Sequence, residues 1–252
     1  MKTLRNLSMT VTVLLNVVLG AAWAEDNSPP PGFIRLFNGK DLSGWKVPAG
    51  DNGHWKVVDG VIDYDARSEA AGDKNLFSEG EWRDFVLHID WRIKEVPYVN
   101  PGVMYILPDG TEARDIAGKP LRLQLPDSDS GVFIRGSGRH QVNIWCWPIG
   151  SGEMYGVRRD AKTSPELRAA VTPRTQADNP VGEWNHFEIT VRGQVVTVVL
   201  NGTTVIPGAE IADLPASGPI ALQHHGGQRA GQWNSPPALV QFKNIYLQEL
   251  RQ

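Results

Sequence analysis

The chain holds a single cysteine, Cys146, among its 252 residues. That scarcity excludes an internal disulfide. It also excludes a small module held together by bridges, so the fold must rest on its hydrophobic core. Cys146 lies between Trp145 and Trp147 beside an apolar strand. A small buried residue is the natural role there, and no partner motif supports a nucleophile. An excess of one charge is also missing: 25 basic residues face 28 acidic ones, and no basic cluster occurs. Nothing in that balance recruits nucleic acid or an anionic membrane surface. The expected partner is therefore uncharged, or is read locally. No apolar run reaches the ~20 residues that a membrane span needs. Repeats and low-complexity tracts are absent.

What is present begins with a leader pattern. Lys2 and Arg5 are followed by a short apolar run over 9–19 and by Ala22-Trp23-Ala24. Residues 1–24 thus read as a secretory signal peptide. Residues 25–32 are polar and proline-rich, a linker. The remainder, 33–252, has a length suited to one all-β domain.

Turn chemistry marks the strands. Asp59-Gly60 separates 55–58 from 61–64, and Asn201-Gly202 separates 195–200 from 203–206. Both pairs are strong hairpin signals. Over 84–93, Phe85, Leu87, Ile89, Trp91 and Ile93 alternate with polar residues, as a half-buried strand does. The phase of Val240 and Phe242 is opposite to that of Ile245 and Leu247, which predicts a β-bulge near Lys243-Asn244. Ser164 and Pro165 open one helix, predicted over 163–171. Residues 95–130 hold five prolines and break the rhythm. They read as an irregular insertion, either a functional lid or a hairpin packed on the rim. The whole is expected to be an antiparallel sandwich.

Period-two geometry separates the faces of the strands. Val142, Ile144, Ile220 and Leu222 point to the core. Arg135, Gln141, Asn143, Trp145, Gln223 and His225 fall on the opposite face, and His224 takes the core phase. Planar hydrogen-bonding groups beside a large aromatic suit a sugar, although an ordinary solvated sheet face reads much the same. Glu153 and Tyr155 share a side if their segment is extended. The histidine pair cannot bind one ion from opposite faces. His225 alone could serve as one ligand of a divalent metal, but no HxH or HExxH spacing completes such a site.

An ordered set of pieces carries a family likeness: GFIRLFNGKDLSGW (32–45), HWKVVDGVI (54–62), DFVLHIDWR (84–92), SGVFIRG (130–136), SGEMYGV (151–157), GEWNHFEITVRG (182–193), LNG (200–202), GPIALQHHG (218–226) and VQFKNIYLQEL (240–250). With them the chain resembles the 3-keto-disaccharide hydrolase family. The resemblance implies a concanavalin-like jelly-roll of two curved antiparallel sheets. It further implies an extracytoplasmic bacterial setting, periplasmic or secreted, and action on oxidised glycosides. One departure stands out: family members often carry Glu-x-Gln where this chain has Gln141 and Asn143. An amide can bind but takes no proton at neutral pH. By this resemblance His225, Glu153, Arg135 and Tyr155 are the candidate catalytic groups. Gln141, Asn143, Trp145 and Gln223 are the candidate sugar-binding groups. A non-catalytic carbohydrate-binding jelly-roll remains the alternative, and a structural cell-surface module is a third reading.

Overall fold

A computed structural model describes residues 28–251. The expected signal peptide, 1–24, and the start of the expected linker lie outside the described residues. Two antiparallel sheets form a jelly-roll sandwich. Strands are numbered along the chain. The larger sheet runs, side by side, β13 (Thr203–Glu210), β12 (Val195–Leu200), β11 (Asn185–Arg192), β6 (Phe85–Ile93), β17 (Val240–Glu249), β4 (Val61–Tyr64) and β3 (Trp55–Val58), with β1 (Ile34–Arg35) also on β17. The smaller sheet runs β10 (Ser137–Trp145), β9 (Asp129–Ile134), β14 (Ala221–Leu222), β5 (Leu76–Ser78) and β2 (Trp45–Lys46). Two hairpins stand apart, β7 (Tyr98–Met104) with β8 (Arg122–Asp127), and β15 (Gly227–Arg229) with β16 (Gln232–Ser235). The helices are α1 (Tyr155–Arg159) and α2 (Pro165–Ala170).

Local chemistry explains the ladders. Asp59-Gly60 and Asn201-Gly202 both adopt the left-handed conformation at two successive residues, which matches the right-handed twist of the strands they join. In β6 every second residue from Phe85 to Ile93 is buried, and Val86, His88, Asp90 and Arg92 are partly exposed. The β17 register shifts between Lys243 and Tyr246, with Asn244 at φ 49°. This is the expected bulge, and it lets Phe242 and Ile245 both reach the core. Ser164 caps α2, its Oγ accepting from Leu167 N at 3.2 Å.

The inner faces meet in one core that includes Leu87, Ile89, Phe187, Val198, Val142, Ile144, Ile220 and Phe242. Each such side chain contributes ~1.5–3 kcal/mol by leaving water. The burial of Val142, Ile144, Ile220 and Leu222 on this side fixes which residues of β10 and β14 face outward.

The 95–130 segment is a built hairpin. Beyond β7 and β8 its tip folds back twice, with bridges at Ile106–Glu112 and Arg114–Pro120. The hairpin ends at Asp127, so Asp129 and Ser130 already belong to β9. Val103, Met104 and Ile106 pack on Trp145 and Trp147 as a second, smaller core. No helix among the described residues is long and apolar enough to cross a membrane.

Candidate active site

Three neighbouring strands of the smaller sheet set out a polar patch on its outer face. Register pairs Gln141 with Phe133, Asn143 with Gly131, and Trp145 with Asp129. Ala221 pairs Phe133 from the other side, and Gln223 N donates to Gly131 O at 2.9 Å. Gln141, Asn143 and Gln223 therefore surround Gly131. A Cβ on Gly131 would sit 3.2 Å from Gln141 Oε1, 3.3 Å from Gln223 Oε1 and 3.0 Å from Val142 O. Glycine leaves the space into which these amides converge.

Several polar atoms of this patch are buried without a partner among the described residues. They are Gln141 Oε1, Asn143 Nδ2, Gln223 Oε1 and Asp129 Oδ1. One internal bond exists, Gln141 Nε2 donating to Asn143 Oδ1 at 2.9 Å. Buried polar atoms normally find partners, so a converging set that lacks them suits a hydroxyl-bearing ligand.

His225 closes the patch. Its Nδ1 lies 2.6 Å from Pro236 O. A carbonyl only accepts, so Nδ1 carries the proton and Nε2 presents a lone pair in the neutral ring. Nε2 is 4.0 Å from Asp129 Oδ2. Burial pushes the Asp129 carboxyl up to about 7; the His225 charge opposes the rise and the nearby Asp127 adds to it. The patch thus joins a ring nitrogen able to take a proton to a carboxyl poised near neutrality. Asp129 was overlooked in the sequence, although it stands two residues before Gly131 and four before Phe133. That spacing puts it on the same face. His224, by contrast, turns to Tyr64 of β4, 2.6 Å from its hydroxyl, and burial first of all lowers its ring pKa to about 4.

Other expected members lie elsewhere. Arg135 is a correction. It opens the β9–β10 turn at φ 50°, so strand alternation has already ended at Ile134. Its guanidinium is buried, donating to Arg83 O, Gly193 O, Pro215 O and Asp84 Oδ1 at 2.6–3.0 Å. It ties together loops of the sandwich end and does not face the amides. Glu153 and Tyr155 do not share an extended side, because α1 begins at Tyr155. Gly152 N and Glu153 O bond the backbone of Asn143, which closes the free edge of β10. The Glu153 carboxylate is wholly buried in an ion pair with Arg158. Tyr155 sets its ring edge-to-face with Trp145 and lies against Arg158 and Arg159. Trp145 shares the outer face, but Trp147 stacks on it at 4.0 Å and the β7–β8 hairpin covers it. Its Nε1 donates to Gly150 O at 2.7 Å. It bounds the patch and is 3% exposed, so it offers no open platform. Among the described residues, no group of three or more His, Cys, Asp or Glu side chains is arranged to hold a metal ion.

A family model described as a 3-keto-alpha-glucoside-1,2-lyase-like domain matches residues 32–248. The chain belongs to that family. Among solved structures, a protein described as a glycosyl hydrolase from Parabacteroides distasonis is 18% identical, with a TM-score of 0.52 over 87% of this chain and 95% of its own. A second from the same organism is 20% identical, with a TM-score of 0.47 over 86% and 99%. A carbohydrate-binding module from Bacillus subtilis is 14% identical, with a TM-score of 0.40 over 82% and 96%. At such identities the first structure supports the shared fold, and function has to be argued from the site. No curated protein matches the chain. Membership of the family gives the protein a carbohydrate-active role.

Proposed function

We propose that the protein cleaves glycosides whose sugar carries a ketone at C3, with Asp129 and His225 performing the proton transfers. The observation that carries this reading is the His225–Asp129 pair, set beside buried polar atoms that lack partners. A C3 ketone acidifies the neighbouring C2–H. His225 Nε2 removes that proton, and the electron pair moves into the carbonyl to give an enolate. The enolate collapses, the C1–O bond breaks, and the leaving oxygen takes a proton from the Asp129 carboxyl. Water then adds across the new C1–C2 double bond, returning hydrogen to C2 and hydroxyl to C1. A carboxyl held protonated near neutrality can act as such an acid or steady the enolate through a hydrogen bond. Gln141, Asn143 and Gln223 hold sugar hydroxyls. Asp129 supplies, from the adjacent strand, the carboxyl that Gln141 and Asn143 cannot. No step requires a metal.

Incubation with a 3-keto glycoside tests this. Sugar release is expected, and His225→Ala should lower turnover at least ~100-fold. Unchanged turnover in that variant would remove His225 from the chemistry. The same incubation with a chelator reports any metal requirement. A second reading is a non-catalytic carbohydrate-binding module, favoured by the amides at 141 and 143. Saturable binding without release would establish it. We place the protein outside the cytoplasm because of the leader pattern at 1–24, and N-terminal sequencing of exported protein tests that placement.

A further inference from the structure

The sandwich has a cleft at the end where β6 and β10 finish and β11 begins. It is lined by Trp91, Trp145, Cys146, Trp147, Asp178 and Asn179, among others, and its volume is ≈ 190 Å³. This is a different surface from the amide patch, although Trp145 borders both. Trp91 is 1% exposed, and its only side-chain polar atom, Nε1, has no partner among the described residues. An indole N–H can only donate. Asp178 accepts from Ser151 N at 3.0 Å and retains further acceptor capacity. Burial raises its pKa above the usual carboxylate value. Cys146 is held as a neutral thiol, burial having pushed it up to about 12. The rest of the lining is mixed: Trp145 and Trp147, apolar Ile93 and Val181, and polar Gln176 and Asn185.

We infer that this cleft is a second binding site, for one uncharged sugar ring. A hydroxyl oxygen would accept from Trp91 Nε1, a hydroxyl hydrogen would donate to Asp178, and C–H faces would pack against Trp147, Pro180 and Val181 at the mouth. The volume holds several times the ~30 Å³ share of one water. It falls below the ~300–1,000 Å³ of pockets for larger ligands. One ring therefore fits and a chain does not. The inference is independent of the proposed cleavage reaction.

Titration of the full chain with glucose, which has no C3 ketone, tests it by ligand-observed NMR. Saturable binding is expected in the wild type. Trp91→Phe keeps the ring packing, deletes the N–H, and should weaken binding by at least ~10-fold. Asp178→Asn should weaken it as well, and serves if Trp91→Phe melts early. Absence of saturable binding in the wild type would overturn the inference and leave water as the Trp91 partner. Wild-type affinity in both cleft variants would overturn it too. Loss of binding in Gln223→Ala alone would move the sugar to the sheet face.

Discussion

Three carboxyl side chains differ in what their surroundings allow. Asp129 has an unpartnered oxygen and a pKa near 7, so its protonated form dominates below neutrality. If it is the acid for the leaving group, kcat should fall as pH rises through about 7. Asp129→Asn should lose activity and flatten that limb, as a pH–rate profile would show. Glu153 has the opposite character. Its loss leaves the 2%-exposed Arg158 without compensation, and Glu153→Ala should destabilise by ~3–5 kcal/mol in denaturant melts. A fully stable but inactive Glu153→Ala would instead return Glu153 to the chemistry. Asp84 serves Arg135 and Gly193 N as a structural anchor. Sequence periodicity could separate outward from inward residues on regular strands, as with Gln141, Asn143 and Gln223. It misplaced Arg135 because the chain leaves extended geometry one residue earlier. It missed Asp129 because the strand begins three residues before its apolar run, Val132-Phe133-Ile134.

At the level of elements, the legible parts were those fixed by neighbours in sequence. The Asp59-Gly60 and Asn201-Gly202 hairpins, the β6 alternation and the Asn244 bulge each follow from a few adjacent residues. For 95–130 the sequence left a lid and a rim-packed hairpin equally open, because the place of β7–β8 depends on Trp145 and Trp147, which lie beyond it in the chain. Helix α1 was also hidden, since it has five residues and no side-chain cap. The hairpin makes a prediction at its own scale. Met104 is 4% exposed, and Met104→Ala should cost ~2–5 kcal/mol locally. Hydrogen exchange should speed up along β7 and β8, while β6 and β11 amides keep their protection. Uniform acceleration would show instead that the hairpin and the sandwich open together.

For the whole molecule, the buried acids give stability a direction with pH. Asp129 has a folded value of about 7 against an ordinary 3.8, and burial also raises Asp127 and Asp178. Between those values the native state binds more protons than the unfolded one. Stability contributed by Asp129 should therefore decline from about pH 4 to about pH 7. Thermal melts across that range should show the slope, and Asp129→Asn should reduce it. An unaltered slope in the variant would assign the effect to the other two acids. The irregular start of β10 has a consequence of its own. Ser137 pairs Ile134, yet Gln141 pairs the very next residue, Phe133. An odd number of residues, 138–140, is thus looped out before regular pairing resumes. The segment behaves as a parity setting. Excising all three would leave Ser137 on Ile134 and Gln141 on Phe133 as consecutive rungs with the amides still outward, whereas running the present residues in unbroken extended alternation from Ser137 would send Gln141 and Asn143 into the apolar layer.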